Sequence, residues 1–223
     1  MSKWYEEKKQ VLEAAWKMAE KGLVVGSSGN VSLRLPPENS RELLAITPTS
    51  RYYDLLTPDD IQVIDFEAEP LEGNLAPSVE TMLHIGIYRA RKNVNAVIHT
   101  HSVFASAVAV AGLNIPSILE DQVTFVGGEI KLAKHALPGS EEQVRNVVSA
   151  LEDRNAALLP NHGAAGVGRT MREAFTVCEL IEKTAKIYYL ALSLGKVNLL
   201  PSEIAEAEKA FFKMLQSGKE RSQ

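Results

Sequence analysis

Apolar side chains recur at helical spacing near the start of the chain, at Trp4, Val11, Leu12, Ala15, Trp16 and Ala19. That period predicts an amphipathic helix over residues 3–21, stopped by Gly22. Two short apolar runs follow, Leu23–Val25 and Val31–Leu35, with "GSSGN" between them. "RLPPENSREL" has the composition of a hairpin loop, and Leu43–Thr47 then reads as a strand. "TPDDIQVIDF" predicts a helical turn feeding another strand. Residues 78–92 read as a helix with Ser78 as N-cap, followed by a strand at 94–99 and a helix of small residues at 102–112. A helix near 140–153 starts at Ser140, and Ala156–Leu159 is a strand ending in "PNHGAAGVG". One long helix runs from Thr170 to about Leu194, closed by Gly195. A last helix runs from Pro201 and Ser202 to about Leu215, and a charged tail frays beyond it. Strands and helices alternate irregularly, with no repeat or linker. This predicts one layered α/β domain over residues 1–223 with a mixed sheet.

The totals narrow the function classes. Apolar residues at 45% and charged residues at 23% are globular values. A net charge of −4 offers no general attraction to nucleic acid or anionic membrane, so neither is expected as a partner. "MSKWYEEKKQ" lacks the apolar core of a signal peptide, and no run is long enough to span a bilayer. Cys178 is the only cysteine, which excludes an intrachain disulfide and suits a reducing cytoplasm. Among Ala174, Val177, Leu180 and Ile181 it reads as an inert core thiol.

Candidate chemistry gathers around histidine. In "NAVIHTHSVFA", His99 and His101 are two apart at the end of a strand. Side chains alternate faces along a strand, so both imidazoles present to one point while Thr100 faces away. Imidazole suits zinc and related ions, and a catalytic zinc typically takes three protein ligands with one position open. His162, after a strand and before a glycine-rich turn, is the natural third candidate. The competing reading is three hydrogen-bonded structural histidines. His84 and His135 lack such a setting and read as structural.

Glu80, in "LAPSVETMLH", falls in the first turn of a helix, where the dipole alone favours a carboxylate. If it also reaches the metal, it can leave it on substrate arrival and act as a general base. "GSSGNVS" offers backbone N–H groups and hydroxyls to an anion, although a hairpin turn explains it as well. It is neither a Walker loop nor GxGxxG. "ITPTSRYY" adds Thr47, Thr49 and Ser50, and Ser78 precedes Glu80. Three hydroxyl-rich turns beside a metal site point to a small phosphorylated substrate.

Together "GSSGNVS", "ITPTS", "PSVE", "VIHTHS" and "NHGAAGVG", in that order, resemble the class II aldolase/adducin family, most closely members of the L-fuculose-phosphate-aldolase type. The resemblance is collinear across about residues 5–195. It implies a three-layer α/β/α domain around a mixed, largely antiparallel sheet, and a homotetramer with active sites at subunit interfaces. It implies a zinc site of Glu80, His99, His101 and His162, for which Mn²⁺, Co²⁺ or Fe²⁺ could substitute. Ser27, Gly29 and Asn30, with Thr49, Ser50 and Ser78, would hold the substrate phosphate. The implied reaction cleaves a ketose 1-phosphate, such as L-fuculose 1-phosphate, into dihydroxyacetone phosphate and an aldehyde such as lactaldehyde.

Two departures matter. Related aldolases place tyrosines against the aldehyde half, one after the H-x-H strand and one in the C-terminal tail. This chain has Glu120 and Asp121 in the first region and no tyrosine in "KAFFKMLQSGKERSQ". Either carboxyl could serve as the acid, or both are solvated loop residues. Val79 stands where some relatives carry a second serine. The same site in related enzymes supports epimerisation of ribulose phosphate, dehydration of methylthioribulose phosphate or decarboxylation of sugar-acid phosphates. A non-catalytic adducin-like module is the remaining alternative.

Overall fold

The computed structural model describes residues 2–217. The fraying expected of the charged tail concerns residues 218–223, outside the described residues. The elements in chain order begin with α1 (Tyr5–Glu20), β1 (Asn30–Glu38), β2 (Arg41–Ile46), β3 (Gln62–Asp65) and β4 (Pro70–Glu72). Then come α2 (Thr81–Ala90), β5 (Ala96–Thr100), α3 (Val103–Val110), α4 (Glu120–Val126) and β6 (Lys131–Leu132). The last are α5 (Glu141–Leu151), β7 (Ala156–Leu159), β8 (Gly163–Gly168), α6 (Met171–Ser193) and α7 (Ser202–Ser217).

The eight strands form one sheet in the order β4-β3-β2-β1-β5-β8-β7-β6. Every neighbouring pair is antiparallel except β6–β7. Both faces are covered. Leu43 and Ala45 of β2 join one core with α1 and the start of α6, whereas Leu44 and Ile46 join another with α2 and α5. A sheet buried on both sides needs apolar residues at consecutive positions, which is why "LLAI" and "AVI" read as unbroken runs. The expected three-layer arrangement with a mixed, largely antiparallel sheet is the one observed.

Most predicted elements lie within a few residues of their expected bounds. Ser140 caps α5 by accepting from the Gln143 backbone N–H at 3.1 Å, and Thr170 caps α6 in the same way through Glu173. Asn39 and Ser40, at φ 48° and 64°, form the two-residue tip between β1 and β2. Cys178 is fully buried, and burial pushes its thiol pKa up, as an inert core thiol requires.

Four readings change. Leu23 and Val24 lie in a buried bend, so "GSSGN" leads into β1 and is no hairpin between two strands. α2 starts at Thr81, which leaves Ser78 before the helix and puts Glu80 at its N-cap, ahead of the first turn. Glu120 and Asp121 are not loop residues; they open the short helix α4. The "GAAGVG" after His162 is not a turn but the strand β8, between β5 and β7.

The glycines of β8 serve close packing. A Cβ on Gly163 would lie 2.0 Å from the Thr100 carbonyl oxygen, and one on Gly166 would lie 2.5 Å from Cys178 Sγ. Gly163→Ala is therefore expected to destabilise the protein by about 3 kcal/mol, the upper end of overpacking costs, because the obstructing atom is backbone. Denaturant unfolding measures this, and a midpoint equal to wild type would contradict it.

Candidate metal centre

The β1–β5–β8 register brings the site together. Asn30 pairs with His99 on one side and Ala165 pairs with His99 on the other. Val97 joins the core beneath α2 and Ile98 the opposite one, so strand alternation turns His99 toward α2. His101 lies one residue beyond β5, where its backbone N–H donates to Leu23 O at 3.0 Å. The N-terminus of α3, immediately after, is held by Glu182 of α6, which accepts from Phe104 and Ala105 at 3.0 and 2.9 Å. His162 sits at the tip between β7 and β8, a tight turn with Asn161 at φ 54°. Glu80 arrives from the N-cap of α2, its backbone N–H donating to Ser78 Oγ at 3.2 Å.

One ligand atom from each of Glu80, His99, His101 and His162 lies within 4.8 Å of all the others. His99 Nε2 is 2.8 Å from His101 Nε2, 3.3 Å from His162 Nε2 and 3.2 Å from Glu80 Oε2. The three ring centroids are mutually 4.7 Å apart. His99 Nδ1 donates to Ala164 O at 3.0 Å, which leaves the Nε2 lone pair facing the cluster. That lone pair, two further imidazole nitrogens and a carboxylate oxygen converge on one point, an arrangement that suits a cation. Tetrahedral zinc, with bonds of about 2.0–2.1 Å, separates its donors by roughly 3.3 Å. Three imidazoles and a carboxylate at these distances fit a first-row divalent ion.

Electrostatics agree with that fit. Burial, together with His99 and His162, pushes His101 down to about 4, and burial with His99 lowers His162. Both are neutral ligands near pH 7. Burial works to raise Glu80, but His99, His162 and the Asn30 hydrogen bond outweigh it and hold the carboxyl down at about 2. Glu80 is thus an ionised carboxylate in a site where it is only 4% exposed.

The three hydroxyl-rich turns are stitched to one another. Tyr53 OH donates its one proton toward Gly29 O at 2.6 Å, with Ser28 O farther off at 3.1 Å, tying the first turn to the second. The Ser78 N–H donates to Thr47 O at 3.1 Å and Thr49 N–H to Ala76 O at 3.0 Å, tying the second to the third. Gly29, at φ 72°, has no room for a Cβ, which would lie 2.6 Å from the His99 carbonyl oxygen. Ser27 is half-buried with no hydrogen bond of its own among the described residues, and Thr49 Oγ1 and Ser50 Oγ lie 3.4 Å apart. Asn30 differs from them: its side-chain amide is committed to Glu80 and His84.

Glu120 and Asp121 are not members of the cluster, and Asp121 is held by Lys183. Sequence reasoning missed Tyr53, the tie that shapes the first turn, and Gln143, whose Nε2 donates to Glu80 Oε1 at 3.3 Å. It also left His84 aside, though its spacing of four from Glu80 along a helix was a usable signal. A cavity of about 450 Å³ opens beside the second turn, lined by Ser50, Arg51 and Tyr52 among others. A larger one of about 490 Å³ lies among α4, α6 and α7 and shares no residue with the cluster.

Against known proteins, the model of the Class II Aldolase and Adducin N-terminal domain matches residues 9–189. The chain belongs to that family. It is 32% identical over 201 residues to a 5-deoxy-D-ribulose 1-phosphate aldolase of Bacillus thuringiensis serovar kurstaki, covering 90% of this chain and 92% of that one. It is 32% identical over 186 residues to the L-fuculose phosphate aldolase of Escherichia coli K12, covering 83% and 84%. A solved structure of an L-fuculose 1-phosphate aldolase superposes with a TM-score of 0.87 at 30% identity, over 96% of this chain and 98% of that one. Aldolases are lyases, and the family places this chain among such enzymes. No helix of the described residues is long and apolar enough to cross a membrane.

Proposed function

We propose that the protein is a zinc-dependent aldolase that cleaves a ketose 1-phosphate into dihydroxyacetone phosphate and a short aldehyde. The observation that carries this reading is the cluster of one carboxylate and three imidazoles whose ligand atoms lie within 4.8 Å of one another. L-Fuculose 1-phosphate, giving lactaldehyde, and 5-deoxyribulose 1-phosphate, giving acetaldehyde, are the first substrates to test, since the relatives are named for these sugars.

A divalent ion held by Glu80, His99, His101 and His162 supplies Lewis-acid stabilisation of the negative charge left when the C3–C4 bond breaks. The chain's own groups do the rest. Ser27, Gly29, Asn30, Thr49, Ser50 and Ser78 bind the phosphate through hydroxyls and N–H groups, Asn30 having a second amide N–H beyond the one it gives Glu80. The C4 hydroxyl gives up its proton as C4 becomes the aldehyde, and the electron pair of the broken bond passes to C3. Glu80, ionised at rest, takes up the C4 hydroxyl proton and delivers it to C3, so the proton count closes. Of the two carboxyls named for the aldehyde half, Asp121 is engaged by Lys183 and Glu120 stands exposed at the start of α4. In this reading the protein is cytoplasmic and forms a homotetramer with active sites at subunit interfaces. Exposed Val25, Leu55 and Val79 around the hydroxyl-rich turns give a neighbouring subunit an apolar surface to cover.

The test is a coupled assay for dihydroxyacetone phosphate with a panel of ketose 1- and 5-phosphates, run on holoenzyme and on chelator-treated protein. Release from a ketose 1-phosphate, lost on chelation and restored by zinc, is the expected result. Turnover that survives verified metal removal, or isomerised or dehydrated products in place of dihydroxyacetone phosphate, would sink this reading.

A further inference from the structure

Behind Glu80 runs a chain of buried hydrogen bonds that ends in the core. Asn30 Nδ2 is 3.0 Å from Glu80 Oε2, and Asn30 Oδ1 is 2.6 Å from His84 Nε2. His84 Nδ1 is 2.6 Å from Ser32 Oγ, which is 2.7 Å from Tyr88 OH. His84, Ser32 and Tyr88 are fully buried and Asn30 is 4% exposed, so none of these bonds competes with bulk water.

The direction of every bond follows from its last acceptor. Asn30 Nδ2 donates to Glu80 Oε2, so the other end of the same amide, Oδ1, faces His84 and can only accept there. His84 therefore carries its proton on Nε2 and accepts at Nδ1, as a neutral ring does. The Ser32 hydroxyl is then the donor to Nδ1, and Ser32 Oγ accepts from Tyr88. Four donors in series point from the core at one carboxylate oxygen. Gln143, pinned because its Oε1 accepts from the Gly139 N–H at 2.7 Å, donates to the other oxygen.

We propose that His84 is a positioning residue: through Asn30 it fixes the orientation of the Glu80 carboxylate toward the imidazole cluster, with Ser32 and Tyr88 locking its tautomer. His84 touches no ligand atom of the cluster in this role; it acts on Asn30, and Asn30 on Glu80. The inference rests on the metal-site reading above but not on the identity of the sugar.

Its test reads metal binding without substrate. Wild type, His84→Leu, His84→Gln and Ser32→Ala are stripped, and Co²⁺ affinity and visible spectrum are recorded alongside thermal unfolding. His84→Leu removes the donor at similar volume and is expected to weaken Co²⁺ binding by about 10- to 100-fold and to change the spectrum, the usual cost of losing a ligand's hydrogen-bond support. His84→Gln keeps an N–H where Nε2 stood and should return to within about threefold of wild type. A folded His84→Leu with wild-type affinity and spectrum would overturn the proposal, as would His84→Gln impaired as much as His84→Leu. Should His84→Leu fail to fold, Ser32→Ala decides: weaker Co²⁺ binding supports the proposal, and wild-type binding rejects it. A wild type that binds Co²⁺ but releases no dihydroxyacetone phosphate would end the aldolase reading and leave this one standing.

Discussion

Glu80→Gln is expected to bind the metal more weakly than wild type but still load at saturating zinc, and to lose turnover by about 10²- to 10⁴-fold, the range typical of removing a general acid or base. Glutamine preserves the volume of a side chain that is 4% exposed and leaves one oxygen to accept from Asn30 Nδ2. Its new amide nitrogen meets the Gln143 amide nitrogen, a local mismatch of donor against donor. Three imidazoles remain, which is enough protein ligation for a catalytic zinc. Steady-state kinetics with elemental analysis on the same sample separates the two effects. Near-normal rates would remove Glu80 from the chemistry, and loss of the metal would make it a ligand first and an acid–base group second.

His99→Ala has a broader expected effect. His99 is the only one of the three histidines that is fully buried, and its Nε2 lies within 3.3 Å of the other three ligand groups. Removing it takes away the central donor and the Ala164 hydrogen bond that orients it. Zinc content should fall well below one per chain and turnover to background. Linkage gives an independent measurement: a ligand at 100 times its Kd stabilises the native state by about 2.7 kcal/mol. Zinc should therefore raise the unfolding temperature of stripped wild type and leave that of His99→Ala unchanged. Equal rises in both proteins would mean that the metal sits elsewhere.

The legible and illegible parts of this chain divide along physical lines. The H-x-H pair was readable because strand alternation is local: Ile98 and Val97 face opposite cores, and His99 and His101 converge as period two demands. The N-caps Ser140 and Thr170 were readable for the same reason, each needing only a backbone N–H three residues on. β8 was misread because its glycines resemble a turn; they are needed so that Thr100 and Cys178 can approach, and neither neighbour is local in sequence. The resemblance implied Asn30 as a phosphate ligand, and only the tertiary structure reveals that one of its amide hydrogens goes to Glu80 while its oxygen faces His84.

The sequence by itself determined the chemistry available: which residues can ligate a metal, which strand turns two of them one way, and which turns offer hydroxyls. Those are properties of residue type and of spacings within one element. Tertiary structure decided the rest: that Glu80, the His99–His101 pair and His162, far apart along the chain, meet within 4.8 Å, and that a buried chain from Tyr88 orients the carboxylate. Both depend on the β1–β5–β8 register and on α2 packing across it, which are set by burial between distant segments and by no local pattern.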